Sequence, residues 1–540
     1  MKKILIILIM VLAFVLRFWN LNNFPALNAD EAAIGYNAYS LILTGKDEHR
    51  NSWPIHFQSF NDYKPGLYVY MVLPFVKVLG LNEWAVRIPG ATLGVLTVLI
   101  VYFLIRELRI GNWKFEIIAP ALLAINPWHI HFSRGGWEVN MATFFMTAGL
   151  WLFVKAANNG FNVKYLVLSV LAFVAAIYDY HAARVVVPLL GIFLAVKYWR
   201  EIKNNFRKVV PAVIIGIILL VPLAVDFSKG GVFSRAAGAG LFADPGPLSR
   251  VNEQRGEHDS FSGIAAKVLH NKVVNYSLAF AKNLTGHFSG EFLFLSGDVI
   301  ERNRVPETGQ LYLIELVFVV VGLVAIVKNS KGWGVIIWWL LVAPSAAALT
   351  FQAPHALRSQ NMVIPLTMIS SFGLYKILEF MNKFKKIKVW LYSLLVLALI
   401  LSFARYLHVY WIHMAKEYPY SSQYGVKELV NYLKEKESGY QKILVTNRYD
   451  QPYILFLFYM KYDPVKFQNS HSLTPRDGFG FSTVNHFDKY YFATIKFDQA
   501  RPENPNALIV GTDGEIPEEA NIVKDIYGVN GYRYFQVVAN

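Results

Sequence analysis

The sequence is 540 residues long, 55% hydrophobic, 16% charged and formally +15. Soluble domains carry about 25% charged residues, so an ordinary soluble enzyme is excluded for most of the length. Without cysteine, disulfides, thiolate catalysis and cysteine-ligated metal are excluded as well.

The chain opens on MKKILIILIMVLAFVLRFWN, two lysines ahead of an apolar run. No small-x-small cleavage site follows, so this reads as an uncleaved first span rather than a signal peptide. Taking Lys2 and Lys3 as cytoplasmic sets the orientation. Span 1 then delivers 20–89 to the outside, and span 2 (90–105) returns to Arg106, Arg109 and Lys114. Span 3 (116–127) leads out to 128–139, and span 4 (140–154) comes back to Lys155 and Lys164. Spans 5 and 6 flank an outer turn at 178–184 and end at Lys197, Arg200, Lys203, Arg207 and Lys208. Span 7 (209–226) opens a long outer loop, 227–310, and span 8 (311–327) returns to Lys328 and Lys331. Spans 9 and 10 flank an outer turn at 351–360 and end at Lys376, Lys383, Lys385, Lys386 and Lys388. Span 11 (389–411) places everything after it outside.

Every strongly basic short loop then lies on one side, and the rest of the chain is nearly neutral. Topology accounts for the surplus charge, so no nucleic-acid partner is expected. The run LYVYMVLPFVKVLGL (67–81) would reverse this arrangement if it spanned, so it reads as a helix at the outer interface. The segment 228–247 is rich in Gly and Ala and reads as mobile. The stretch 264–285 has the pattern of an amphipathic interfacial helix.

From about residue 413 the chain becomes mixed and polar. VKELVNYLKEK places Val426, Leu429, Val430 and Leu433 on one helical face. The runs KILVT, YYFATI, NALIV and RYFQVV alternate as strands do, without the glycine fingerprint of a dinucleotide site. The expected fold is an α-helical polytopic membrane protein of about eleven spans over 1–412. A small α/β extracytoplasmic domain over 413–540 completes it.

The unusual polar residues sit in the outer loops. Asp30 and Glu31 lie in FPALNADEAAIGYNAYSLILTG (24–45), where a helix is expected from near Asn28 to near Gly45. Asn28 and Glu31 have the spacing of a capping box. Adjacent helical residues point about 100° apart, so at most one of the two acids faces a reacting centre. A partly desolvated carboxylate at the membrane surface suits a general base. Lys64, in YKPGLYVY (63–70), reads either as a snorkelling lysine or as a cation placed for a lipid phosphate. Arg358 and His355, in FQAPHALRSQNMVIPL, are cations in a short outer turn, where cations are infrequent. Arg suits bidentate phosphate contact. INPWHIHFSRGGWEVNM adds His129, His131, Arg134 and Glu138, and YDYHAAR adds Asp179, His181 and Arg184. The two histidines lack a third ligand at a recognisable spacing, so no metal is expected. Collectively these loops describe a site for an anionic lipid with chemistry at its head.

LRFWNLNNFPALNADEAAIGYNAYSLILTGKD, then YKPGLYVY, then NEWAVRIPGATLGVLTVLIVYFLIREL resemble the GT-C superfamily of membrane glycosyltransferases. Within it, the resemblance is to the dolichyl-phosphate-mannose–protein mannosyltransferases and bacterial lipid A aminoarabinose transferases. HFSRGGWE, FLSGDVIERNRVPETGQLYL and PHALRSQNMVIPL fit bacterial members, and the resemblance covers roughly residues 1–410. It implies a polyprenyl-phosphate-linked sugar donor and an extracytoplasmic reaction; the acceptor, lipid, glycan or protein, stays open, and no cofactor is expected. The family's first-loop acid matches Asp30, with Glu31 beside it. Its second acid falls at Glu138, where many relatives have Asp. Its lysine before the proline matches Lys64, and its late-turn Arg matches Arg358, with His355 alongside. Gly66 stands where bacterial relatives often have a second Pro. The implied chemistry is an inverting displacement: Asp30 takes the acceptor proton while Lys64, Arg358, His355 and Arg184 hold the phosphate. Rival readings are a carrier or flippase of lipid-linked sugars, which would need the lipid site without a base, and a ligase that transfers a lipid-linked oligosaccharide.

Overall fold

The computed structural model describes residues 1–60, 62–228, 240–329, 331–418, 423–476 and 482–540. Most of the Gly/Ala-rich stretch expected to be mobile, 229–239, lies outside the described residues. The chain divides into two compact units. The first comprises Met1–Arg17, Thr92–Ser133 and Glu138–Leu407; the second comprises Phe18–Ala91, Arg134–Trp137 and His408–Asn540. The first loop of the sequence therefore shares a unit with the C-terminal region.

The first unit is helical. Each expected span coincides with a helix, but their lengths differ. Among the described residues five helices are long and apolar enough to cross a membrane: Glu83–Leu108, Glu138–Asn158, Phe206–Ser228, Gln360–Met381 and Lys388–Glu417. The other expected spans fall on shorter helices, such as α1 (Lys2–Phe18), Trp113–Ile125 and Glu315–Lys328. Span 2 begins seven residues before its expected start, at Glu83. The Asn82 side chain accepts from Ala85 N at 3.0 Å and caps it, so Pro89 sits inside the helix rather than ahead of it. The stretch 264–285 forms two helices, Ile264–Leu269 and Lys272–Gly286, with the Asn271 side chain capping the second.

Small residues set the closest packing of this unit. A Cβ at Gly373 would lie 1.8 Å from Phe318 O, and one at Gly322 would lie 2.2 Å from Ile369 O. Helices Glu315–Lys328 and Val363–Met381 therefore approach backbone to backbone, as small residues allow in apolar surroundings. Arg17, fully buried at the end of α1, donates to Ala124 O at 3.0 Å and contacts His129 Nδ1 at 2.7 Å.

The second unit opens with α2 (Ala29–Thr44), a hairpin of β1 (His56–Ser59) and β2 (Asp62–Pro65), and α3 (Leu67–Leu79). The capping box is present: Asn28 Oδ1 accepts from Glu31 N, and the Glu31 carboxylate accepts from Asn28 N. Gly45 ends α2 at φ +70°, a left-handed conformation that glycine adopts without a Cβ clash. With 13 residues, α3 spans about 20 Å, short of a hydrocarbon core of about 30 Å.

The remainder of this unit is a six-stranded mixed sheet with helices. Its strands are β3 (Lys442–Thr446), β4 (His486–Phe487), β5 (Tyr490–Ala493), β6 (Ala507–Gly511), β7 (Ile522–Tyr527) and β8 (Arg533–Ala539), in the order β4-β5-β3-β6-β8-β7. β3 pairs in parallel with β5 and β6, and the other pairings are antiparallel. Helix Val426–Lys436 buries Val426, Leu429, Val430 and Leu433, the face read from the sequence.

Candidate functional site

The capping box fixes the first turn of α2 and thereby the direction of its two acids. Glu31 points inward and is fully buried. Arg87 meets it with two parallel bonds, Nε to Oε1 at 2.7 Å and Nη2 to Oε2 at 2.8 Å. Gly136 N donates to Oε1 at 2.9 Å, and Asn28 Nδ2 donates to Oε2 at 3.0 Å. The remaining Arg87 donors reach Leu21 O and Pro25 O at 2.8 Å and Ala26 O at 3.2 Å. All five guanidinium donors are used, so this buried pair staples the 21–31 segment and the 134–137 loop around one carboxylate.

Asp30, one residue earlier, points elsewhere and keeps 22% of its side chain exposed. It pairs with Lys64, whose side chain is 15% exposed. Lys64 sits on β2 opposite Phe57 in the hairpin register. Its Nζ lies 4.8 Å from the centre of the Phe60 ring. Gly66 follows with its N–H donating to Ile55 O at 3.0 Å, and a Cβ there would meet Phe57 Cε2 at 2.5 Å. A proline at 66 would lose that bond and collide with the ring, which explains the glycine in the YKPG string.

Glu48, just past α2, is also fully buried. It clasps Asn37: Asn37 Nδ2 donates to Oε1 at 3.2 Å, and Glu48 N donates to Asn37 Oδ1 at 2.9 Å. Burial pushes its carboxyl up to about 8, against the hydrogen bond from Asn37 and the charge of Lys64. Arg134, fully buried, donates from Nε to Tyr410 Oη at 3.0 Å and lies 4.7 Å from the Trp411 ring centre.

The other predicted residues lie in the first unit. Glu138 starts the helix Glu138–Asn158, where a carboxylate is favoured by the helix dipole. Arg184 contacts His181 Nδ1 at 3.1 Å, donates to Ile177 O at 3.2 Å and lies over the Phe227 ring. His129 and His131 go to different partners: the first contacts Arg17, the second Arg302 O at 2.9 Å.

His355 and Arg358 share one turn. Arg358 Nη1 donates to Thr350 Oγ1 at 2.7 Å. His355 Nδ1 lies 3.5 Å from Oδ2 of Asp298, a carboxylate with no exposed surface.

Arg87, Glu48, Asp298 and His287 were not singled out from the sequence. Arg87 and Asp298 did lie inside quoted strings, in the form of a charge within an apolar run and an acid after a glycine. Glu48 and His287 carried no pattern.

Residues 63–225 match the family Dolichyl-phosphate-mannose-protein mannosyltransferase. No curated protein matches the sequence. Among solved structures, ArnT from Cupriavidus metallidurans in the apo state aligns over 98% of this chain and 97% of its own, with 12% identity and a TM-score of 0.57. The same protein bound to undecaprenyl phosphate aligns over 99% and 97%, with 13% identity and a TM-score of 0.51. The Archaeoglobus fulgidus oligosaccharyltransferase tethered with an acceptor peptide aligns over 85% of this chain and 63% of its own, with 13% identity and a TM-score of 0.52.

Proposed function

We propose that this chain, which has the fold of the GT-C glycosyltransferases, is a membrane enzyme that moves a sugar from a polyprenyl-phosphate donor to an acceptor hydroxyl on the extracytoplasmic face. The observation that carries the reading is the contrast between the two adjacent acids of α2. Glu31 is locked into a buried structural pair, while Asp30 is partly open and paired with a lysine. ArnT, with which this chain shares its fold, has a structure bound to undecaprenyl phosphate, a lipid monophosphate of the class that a released donor would leave.

The ion pair suggests how the resting site becomes reactive. Lys64 neutralises Asp30 in their ion pair. A donor phosphate offers Lys64 a second anion, and its recruitment frees the Asp30 carboxylate to accept a proton. The acceptor oxygen then attacks the anomeric carbon as Asp30 takes its proton. The bond from that carbon to the phosphate oxygen breaks, and its electron pair stays on the phosphate. A diester monoanion becomes a monoester with more charge, and Lys64 stabilises the charge as it grows. A single displacement inverts the anomeric centre.

In the first unit, we assign phosphate binding to Arg358 with His355 and to Arg184, and the role of second acid to Glu138. Each is tested by its own Ala or Gln variant.

The reading is tested by the anomeric configuration of the product. A donor of defined configuration is supplied to the full chain in lipid, and the product is read by NMR. Inversion is expected. Retention would overturn the single displacement, and intact donor recovered on the opposite leaflet would favour a carrier.

A further inference from the structure

The turn that carries His355 and Arg358 is held from behind by two buried groups. Two successive main-chain N–H groups of the turn donate to side chains. His355 N donates to His287 Nε2 at 3.1 Å, and Ala356 N donates to Asp298 Oδ2 at 2.6 Å. Both acceptors are buried.

Neither acceptor tolerates exchange of its hydrogen-bond sense. Asp298 Oδ1 accepts from Ile300 N at 2.9 Å, and Oδ2 also accepts from Asn303 Nδ2 at 3.1 Å. Both carboxylate oxygens thus face donors. An amide at this position would turn an N–H₂ group toward a donor in either orientation. His287 Nδ1 lies 2.8 Å from Asn283 O and must carry the proton to bond it, so Nε2 is left as the acceptor that His355 N needs. Burial lowers the His287 pKa to about 4, which keeps that ring neutral. The turn is closed at other points by Ser359 Oγ to His355 O at 2.7 Å and Trp128 Nε1 to Ala356 O at 3.1 Å.

We propose that Asp298 and His287 are positioning residues that aim the His355–Arg358 turn at the donor phosphate without touching it themselves. This rests on the reading of Arg358 as a phosphate ligand.

The test measures binding of farnesyl phosphate, a short polyprenyl monophosphate, to the full chain in nanodiscs. Arg358→Ala is expected to weaken binding about tenfold, the loss of one charge-assisted bond. Asp298→Asn is expected to weaken it to a similar degree. The double variant is expected to lose less than the sum of the two single losses, because Asp298 acts through the turn that carries Arg358. His287→Gln, which restores an acceptor oxygen, should keep most of the affinity, while His287→Leu should lose it. This pair keeps the proposal testable if Asp298→Asn does not fold. Additive losses in the double variant, or wild-type binding by Asp298→Asn or His287→Leu, would overturn the positioning role while leaving Arg358 as ligand. Wild-type binding by Arg358→Ala would overturn both the phosphate reading and this proposal.

Discussion

Replacing Glu31 by Gln separates the two acids of α2. In the folded protein the Glu31 carboxylate faces two Arg87 donors at 2.7 and 2.8 Å, Gly136 N at 2.9 Å and Asn28 Nδ2 at 3.0 Å. Glu31 and Arg87 have no exposed side-chain surface. An amide keeps the shape but points a donor at one end of the Arg87 fork and leaves a buried cation without its counter-charge. Breaking a buried ion pair in this way costs about 3–5 kcal/mol. The second unit contains about two hundred residues, for which each kcal/mol moves the midpoint by about 2–4 °C. The expected fall in Tm is therefore of order 10 °C, read by intrinsic tryptophan fluorescence in detergent. Asp30→Asn, one residue away and partly exposed, should stay close to wild type in the same assay. If Glu31→Gln keeps the wild-type Tm yet loses activity, Glu31 is the reacting carboxylate and the assignment to Asp30 is wrong.

Three further outcomes follow from the second unit. Glu48 has a folded pKa of about 8 against an ordinary 4.5, so the folded state binds the extra proton. Its stability contribution is greatest below pH 4.5 and declines as pH rises toward 8, by about 5 kcal/mol in all. Glu48→Gln should then raise Tm at pH 8.5 and change it little at pH 5, and equal effects at both would contradict a buried neutral acid. Gly136→Ala places a Cβ 2.7 Å from Val86 Cγ1 beside the Glu31 staple and should lower stability by about 1–3 kcal/mol, measured by thermal unfolding; a neutral result would mean that the loop shifts freely. Lys64→Met should lower kcat and raise the KM for the donor together, whereas an effect on KM alone would remove Lys64 from leaving-group stabilisation.

Much of the local structure was legible because its signals are short-range. Asn28, Glu31 and Gly45 mark both ends of α2 within the helix itself. Val426, Leu429, Val430 and Leu433 show their face by spacing, and β3, β5, β6 and β8 lie in the apolar runs that announced them. β4 and β7 were not anticipated: the first has two residues, and the second has a mixed burial pattern with two register shifts. Span 2 was expected from residue 90, whereas the helix starts at Glu83 and holds Pro89 inside it.

At the site, the pairing of neighbouring acids with different partners was only half visible. The helical angle between Asp30 and Glu31 follows from their adjacency. Which one turns inward depends on Arg87, 56 residues further along the chain. Asp298 and His287 were hidden for the same reason: their partners are main-chain groups of a distant turn, and no side-chain pattern encodes those. The grouping of the first loop with the C-terminal sheet is likewise a long-range property, and composition alone divided the chain near residue 413.

The central claim is that Asp30 removes the proton in a sugar transfer from a lipid phosphate. The direct measurement supplies labelled polyprenyl-phosphate sugars to membranes containing the full chain and follows loss of sugar from the lipid, for wild type and Asp30→Asn. Loss with one donor in the wild type, abolished in a folded Asp30→Asn protein, is the predicted result. Undiminished loss in Asp30→Asn would contradict it.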